Sequence, residues 1–228
     1  NPRLDVYYYK NILEKKKNNN LVIGVAFSSK STSTYFGQFN YIQEYLDLNE
    51  KSTFPILANQ DRNFEDISWR DHGILRRIIN VIKKTIKETD YNFVIRPSPF
   101  ENTSHYKVLE KAFPKRVTSD SESTLPDFIS KVDLILTCWS TVGLEALIME
   151  RPVVSISGLY DKKYLFDHIS KKASGFETFI DYYYSPETYK DIISHFNMCS
   201  EGILKPSPKA PQDVDVLLEK IYNFPKKK

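Results

Sequence analysis

The chain has 228 residues; at about 150 residues per domain, this fits one large domain or one domain with an added lobe. Lys and Arg total 32 against 29 Asp and Glu, and the resulting charge of +3 is too small to indicate a nucleic-acid-binding protein by itself. Two cysteines exclude a disulfide scaffold, so we expect an ordinary hydrophobic core of the kind found in cytosolic proteins.

The sequence contains no targeting or membrane-spanning pattern. No stretch approaches the ~18 consecutive apolar residues that a spanning helix needs. The N-terminus, Asn1-Pro2-Arg3-Leu4-Asp5, has no start Met and no signal-peptide pattern. We therefore expect the chain to be cut from a longer protein, with residues 1–20 as a linker or helix and residues 21–228 as one domain.

Short β-rich apolar runs alternate with segments of helical period. The predicted strands are residues 21–27, 91–95, 132–139 and 151–156, and the predicted helices are residues 35–46, 71–89, 108–113, 142–149 and 212–223. Continuous apolar strands that alternate with helices are typical of a parallel sheet covered on both faces. The pattern predicts a three-layer α/β/α sandwich with a mainly parallel sheet of about five or six strands.

Two segments in which a Thr or Ser closely precedes a proline predict helix starts: Thr124-Leu125-Pro126-Asp127 and Ser185-Pro186-Glu187. Two other stretches have no clear period. Residues 50–71 mix charged residues with Asn and aromatics, and residues 158–184 are rich in tyrosine, with one short helix expected near 161–170. A structureless stretch of about 20 residues in a compact domain is usually functional.

The strongest candidate site is the strand-to-helix turn Thr137-Cys138-Trp139-Ser140-Thr141-Val142-Gly143. The first amides of a helix have no partner inside the helix, and with the helix dipole they attract anions such as phosphate. Ser140 and Thr141 add hydroxyl donors, and Gly143 leaves room for a ligand near the first turn. The alternative is that these hydroxyls only cap the helix.

Glu145 follows on the same predicted helix, which has little other polar surface. A buried carboxylate costs several kcal/mol unless donors satisfy it. The two ribose hydroxyls of a nucleotide are suitable donors, about one helical turn from the phosphate site. A salt bridge to Arg151 is the alternative.

Two further candidates follow other strands. In Arg96-Pro97-Ser98-Pro99-Phe100-Glu101, Arg96 ends a strand and is suited to clamp a phosphate or carboxylate; alternatively, it pairs with Glu101 or a nearby Asp. Ligands of open α/β sheets bind outside the carboxyl ends of the strands, so these segments can share one cleft. The loop at residues 28–34 offers Ser28, Ser29 and Thr32 for a phosphate or acceptor, or it is a flexible capped loop.

Other kinds of site have little support in the sequence. The four histidines show no metal-ligand spacing with either cysteine, and no acidic Asp-x-Asp motif appears, so we expect no metal and no cofactor. Cys138 ends an apolar strand and fits a core residue better than a nucleophile. Trp139 and the tyrosines at 182–184 are suited to stack on a base or a sugar, but they equally fit a core. Asn102-Thr103-Ser104 matches a glycosylation sequon, which matters only in a secreted chain.

The chain resembles the C-terminal half of GT-B glycosyltransferases. The resemblance lies in Asn1-Pro2-Arg3-Leu4-Asp5, in Arg96-Pro97-x-Pro99-x-Glu101, and in the segment from Ser140 to Leu147 followed by Pro152-Val153-Val154. The nearest groups are bacterial surface and capsule polysaccharide biosynthesis proteins, including Kdo transferases and the polyglycerolphosphate transferases of teichoic acid synthesis. Many relatives have His-Pro where this chain has Ser98-Pro99.

The resemblance implies that residues 21–228 form a Rossmann-like domain that binds a CMP-, UDP- or CDP-linked sugar. It implies that Ser140 and Thr141 hold the donor phosphate and that Glu145 holds the ribose; the expected donor-binding residues are Arg96, Ser98, Glu101, Ser140, Thr141, Gly143 and Glu145. The expected partners are a glycan acceptor and a missing N-terminal domain that supplies the catalytic base. The isolated chain is then expected to bind a nucleotide but to turn over poorly.

The expected location is the cytoplasm, and the three terminal lysines are compatible with work near the inner face of an anionic membrane. No nucleic-acid partner is expected. The sequence leaves two alternatives open: a nucleotide-sugar epimerase of related build, and a non-catalytic binding or scaffold domain that kept the fold.

Overall fold

A computed structural model describes residues 20–27, 64–98, 101, 103–138, 140, 142–156, 183–184 and 186–205. The elements are β1 (Val22–Phe27), α1 (Phe64–Glu88), β2 (Asn92–Arg96), α2 (Ser104–Ala112), β3 (Val117–Ser119), α3 (Leu125–Ser130), β4 (Leu134–Cys138), α4 (Val142–Ile148), β5 (Val153–Ser155), β6 (Tyr183–Tyr184) and α5 (Tyr189–Ser200). The predicted helices at 35–46, 161–170 and 212–223 lie outside the described residues, as do residues 1–19.

The six strands form one sheet in the order β3-β2-β1-β4-β5-β6, and every neighbouring pair is parallel. This is the strand order of the Rossmann fold. The order reverses between β1 and β4, which are neighbours in the sheet although α1, β2, α2, β3 and α3 separate them along the chain. The predicted α/β fold with a parallel sheet is confirmed.

Side chains alternate between the two faces of the sheet and fill two cores. On one face, Ile23, Val25 and Phe27 of β1 pack with side chains from α1, α2 and α5. On the other face, Ala26 of β1 and Ile135 of β4 pack with side chains from α3 and α4. Helices therefore cover both faces, and the three layers are those the sequence predicts.

Several element ends differ from the predictions. The helix predicted from residue 71 begins at Phe64, inside the stretch that showed no clear period. Thr124 caps α3 as expected, with its hydroxyl accepting from the Asp127 amide. The start predicted at Ser185-Pro186-Glu187 is wrong: α5 begins at Tyr189, and its N-cap is Thr188, whose hydroxyl accepts from the Asp191 amide. A Thr three residues before an Asp makes the better cap, because the hydroxyl reaches the third amide of the helix.

Candidate functional site

The ends of β1, β2 and β4 lie at one level of the sheet. Ala26 is in register with Arg96 on one side and with Thr137 on the other. Phe27 is in register with Cys138, and after these two residues the central strands end. The carboxyl ends of the three strands therefore lie side by side at the sheet edge, where the strand order reverses between β1 and β4. In open α/β sheets, ligands bind in a crevice at this position.

Ser140 lies two residues before α4 at this edge. Its Oγ accepts from the Val142 amide at 3.3 Å, and its carbonyl accepts from the Gly143 amide at 3.1 Å. The expectation that these two amides face a bound anion is therefore corrected, because Ser140 satisfies both and Gly143 is buried. An accepting hydroxyl keeps its own O–H to donate, so Ser140 can cap the helix and still bind a phosphate oxygen.

Arg96 extends over α3 at the same edge. Its Nη1 donates to the Ser123 carbonyl at 2.7 Å, and its guanidinium carbon lies 5.6 Å from the centre of the Phe128 ring. These contacts replace the pair with Glu101 or an Asp that the sequence left open. A guanidinium has five N–H donors, so this fixed Arg96 retains donors for a phosphate or carboxylate.

The loop that holds Arg96 depends on Asp120, which sequence analysis missed. Asp120 Oδ1 accepts from the Ser123 amide at 2.9 Å, and Oδ2 accepts from Lys131 Nζ at 3.2 Å. Burial raises the pKa of Asp120, but the hydrogen bonds from Ser123 and the Lys131 charge outweigh it and lower the pKa to about 2. Asp120 is thus a carboxylate that positions Ser123, and through its carbonyl Arg96.

Replacement of Asp120 by Asn is expected to reduce the free energy of unfolding at pH 7 by about 1–2 kcal/mol. A carboxylate with a lowered pKa stabilises the fold above its unfolded pKa near 3.9, and that contribution disappears as the pH falls toward 2. Urea unfolding of both proteins should therefore show a difference that shrinks between about pH 4 and pH 2. Glu122→Gln, an exposed change in the same loop, is the control; a pH-independent Asp120 effect would contradict the assignment.

Glu101 is 1% exposed, and its carboxylate accepts hydrogen bonds from groups of the protein itself. Its Oε2 accepts from the Ser98 amide at 2.9 Å and from the Tyr106 hydroxyl at 3.1 Å, while its amide donates to the Ser98 carbonyl at 2.9 Å. The prediction that Glu101 contacts a donor substrate is therefore corrected, because its carboxylate is buried and is not accessible to a ligand. Through these hydrogen bonds Glu101 fixes Ser98, which lies two residues after Arg96.

Glu145 lies in the first turn of α4 and is 9% exposed. Its alternative partner, Arg151, belongs to the opposite edge of the sheet. There the Arg151 Nε donates to the Ile129 carbonyl at 3.4 Å, and its charge faces Asp133, whose carboxylate accepts from the Val22 amide at 2.8 Å. Burial raises the pKa of Asp133, and the Arg151 charge opposes that rise. Arg151 therefore interacts with residues other than Glu145, and the ribose role of Glu145 stays a prediction.

The remaining predicted site residues, Thr141, Ser28, Ser29 and Thr32, lie outside the described residues, as do Trp139 and Asn102. Cys138 is 2% exposed, so its interpretation as a core residue is confirmed. Tyr184 is held by the protein: its ring lies 5.5 Å from His195, and its hydroxyl donates to the Lys205 carbonyl.

Within the described part of the chain, no group of three or more His, Cys, Asp or Glu side chains could hold a metal ion. None of the helices described there is both long and apolar enough to cross a bilayer.

The comparisons with known proteins add no relative to this geometry. No family model, no curated protein and no solved structure matches the chain. The crevice at the β1–β4 reversal, with Arg96, Ser140 and Glu145 beside it, is therefore the observation on which a functional conclusion depends.

Proposed function

We propose that this chain is the nucleotide-sugar-binding half of a glycosyltransferase that builds a bacterial surface polysaccharide. The observation that carries the proposal is a Rossmann-ordered parallel sheet with Arg96 at the carboxyl end of β2 and with Ser140 and Glu145 in the segment that follows β4, next to the β1–β4 reversal. The resemblance of the same segments to GT-B enzymes supports it. The donor is a CMP-, UDP- or CDP-linked sugar.

In this proposal the protein stabilises the departing nucleotide. An acceptor hydroxyl attacks the anomeric carbon, the bond between that carbon and the donor phosphate oxygen breaks, and its electron pair stays on the phosphate. Arg96, fixed by Ser123 and Phe128, and the hydroxyl of Ser140 donate hydrogen bonds to the phosphate as its negative charge increases. Glu145 accepts from the ribose hydroxyls. Fixed donors of this kind require no rearrangement during the reaction.

A second domain completes the enzyme in this proposal. GT-B enzymes act in a cleft between two domains, and the base that takes the proton from the acceptor belongs to the N-terminal one. The isolated chain then binds a nucleotide and transfers sugar poorly. The assembled enzyme acts in the cytoplasm at the inner face of the membrane, where its acceptor is built.

Calorimetric titration of the 228-residue chain with CMP, UDP and CDP tests the proposal. We expect binding with a preference for one base, and Glu145→Ala should weaken it at least about tenfold, equivalent to 1.4 kcal/mol. Glu201→Ala, which removes an exposed carboxylate at the end of α5, is the control and should bind as the wild type does.

The other outcomes separate the alternatives. Absence of binding to all three nucleotides would overturn the proposal and favour a scaffold domain. Interconversion of a nucleotide sugar without an acceptor would favour an epimerase. Equal nucleotide affinity in Glu145→Ala and wild type would show that the Glu145 carboxylate does not bind the ribose.

A further inference from the structure

The outer surface of α1 and α2 carries a concentration of positive charge. Between residues 73 and 115 the exposed acidic side chains are Glu88 and Asp90, whereas seven Lys or Arg side chains are exposed: Arg76, Lys83, Lys84, Lys87, Lys107, Lys111 and Lys115. The whole chain has a net charge of only +3. Within the described part of the chain, positive charge is therefore concentrated on the side formed by α1 and α2. We call this side the lysine surface and define it by these seven residues.

The lysine surface is regular. Positions 76, 83, 84 and 87 follow the spacing of one face of α1, and positions 107 and 111 do the same on α2. Both helices connect parallel strands that are neighbours in the sheet, and both pack on the same face of it. The pairs Lys84–Lys87 and Lys107–Lys111 have the spacing that places side chains about 6 Å apart on a helix, whereas Arg76 lies two turns before Lys83. The result is a broad two-dimensional array rather than a single binding pocket.

Helix-end electrostatics explains only part of this array. Lys87 and Lys111 lie in the last turns of their helices, where a cation is favourable next to the helix dipole. Arg76, Lys83 and Lys107 lie further from those ends and gain little from it. The ammonium group of Lys84 lies 4.2 Å from the centre of the Tyr189 ring on α5. An anionic partner would relieve the mutual repulsion of the remaining cations.

The chemistry of the surface favours a lipid bilayer over a nucleic acid. Six of the seven cations are lysines, which attract diffuse negative charge without the bidentate geometry that arginine offers to individual phosphates. Val108 lies among them on α2 with 67% of its side chain exposed, although the helical period predicted it to face the core. An apolar side chain surrounded by lysines gains from contact with the headgroup region of a membrane.

We propose that the lysine surface docks this protein on an anionic phospholipid bilayer. The proposal assigns a specific surface to the membrane location that is part of the proposed function. The reason for docking rests on that function, whereas the docking itself does not. The surface lies on the α1 and α2 side of the sheet, so docking leaves the carboxyl edge with Arg96 and Ser140 open to a donor. The charges of the surface and of the lipid headgroups are complementary over the whole array.

Vesicle co-sedimentation without any nucleotide tests docking separately from nucleotide binding. The full chain should bind vesicles with about 30% phosphatidylglycerol and not pure phosphatidylcholine vesicles, and about 0.5 M salt should release it. The variant Lys83→Gln/Lys107→Gln/Lys111→Gln should bind at least about thirtyfold more weakly, since each lysine near the surface contributes a factor of roughly five. The control Lys226→Gln/Lys227→Gln/Lys228→Gln makes the same charge change in the C-terminal tail and should lose less than about threefold.

Three results would overturn the proposal. They are no binding of the wild type to anionic vesicles, equal losses in the two triple variants, and tighter binding to an RNA or DNA oligonucleotide than to vesicles. Thermal unfolding of both variants confirms that they are folded. Binding to vesicles but to no nucleotide would support the docking surface and contradict the proposed function. Binding to a nucleotide but not to vesicles would support the proposed function and contradict the docking surface.

Discussion

Gly24→Val is expected to lower the free energy of unfolding by about 3 kcal/mol, the largest effect of a single substitution that we predict. Gly24 lies in the centre of β1, in register with Val94 and Ile135. A Cβ atom at this position would lie 2.8 Å from Ile135 Cδ1 and 2.9 Å from Val132 Cγ2. Valine normally favours a strand, so the sign of the effect tests whether packing outweighs strand propensity.

Thermal and urea unfolding measure this effect. A loss of 3 kcal/mol should lower the Tm by about 10 °C in a chain of this length. Gly24→Ala should cost less, about 1–2 kcal/mol, and adding Ile135→Val should recover part of the loss because it removes the Cδ1 atom itself. The control is Gly202→Ala, where an added Cβ meets nothing within 4 Å and only the left-handed φ of +72° opposes it. A stabilising Gly24→Ala substitution would contradict the close contact.

Glu101→Ala is expected to destabilise the protein by a similar amount, about 3 kcal/mol. The carboxylate is 1% exposed and accepts from the Ser98 amide and from the Tyr106 hydroxyl, whose side chain is 2% exposed. Alanine leaves both buried donors without this acceptor and opens a cavity. Glu101→Gln keeps a carbonyl oxygen that can accept, so it should cost less than half as much.

The pair of donors allows a sharper test. Tyr106→Phe removes one donor and should cost about 1 kcal/mol in wild type and less in Glu101→Ala, where the partner is already gone. Because the carboxylate is buried, Glu101→Gln should change nucleotide affinity much less than stability. A tenfold loss of affinity in a fully folded Glu101→Gln protein would instead place this carboxylate in the ligand site.

The strands β1, β2, β4 and β5 could be predicted from the sequence because each lies in a short apolar run. β4 illustrates this: all five of its residues are buried, and the prediction of 132–139 contains it entirely. β3 and β6 were missed because neither Val117–Ser119 nor Tyr183–Tyr184 belongs to a run of aliphatic residues. Their positions depend on pairing with β2 and β5, which is a property of the assembled sheet.

The exposed position of Val108 on α2 could not be predicted from helical period. Residues 108, 109, 112 and 113 fit one apolar stripe, but in the structure Tyr106, Leu109 and Phe113 pack on the core and Val108 is exposed. Tyr106 decides the rotation of the helix, because its ring packs edge-on against Phe27 and its hydroxyl reaches Glu101. Phe27 belongs to β1, far from Tyr106 in the sequence, and Glu101 precedes α2, so the helical period of α2 indicates neither contact.

Residues of the candidate site at or just after a strand end could be predicted from the sequence, whereas contacts between loops could not. Arg96 and Ser140 follow directly from the rule that ligands bind at the carboxyl ends of parallel strands. The contact of Arg96 with Ser123 joins residues 27 positions apart, so only the structure shows it. Glu101 was placed in the site by its neighbours in the sequence, whereas its burial makes it a support of the site.

The junction of β1 and β4 is secured by side chains at both of its ends. At one end Asp133 exchanges hydrogen bonds with the backbone of Val22, and at the other Thr137 Oγ1 donates to the Ala26 carbonyl at 2.6 Å. Side-chain hydrogen bonds therefore join the two halves of the sheet at both ends of the β1–β4 pair. The relative position of these two strand ends thus depends on the sheet itself and not on the loops that follow the strands.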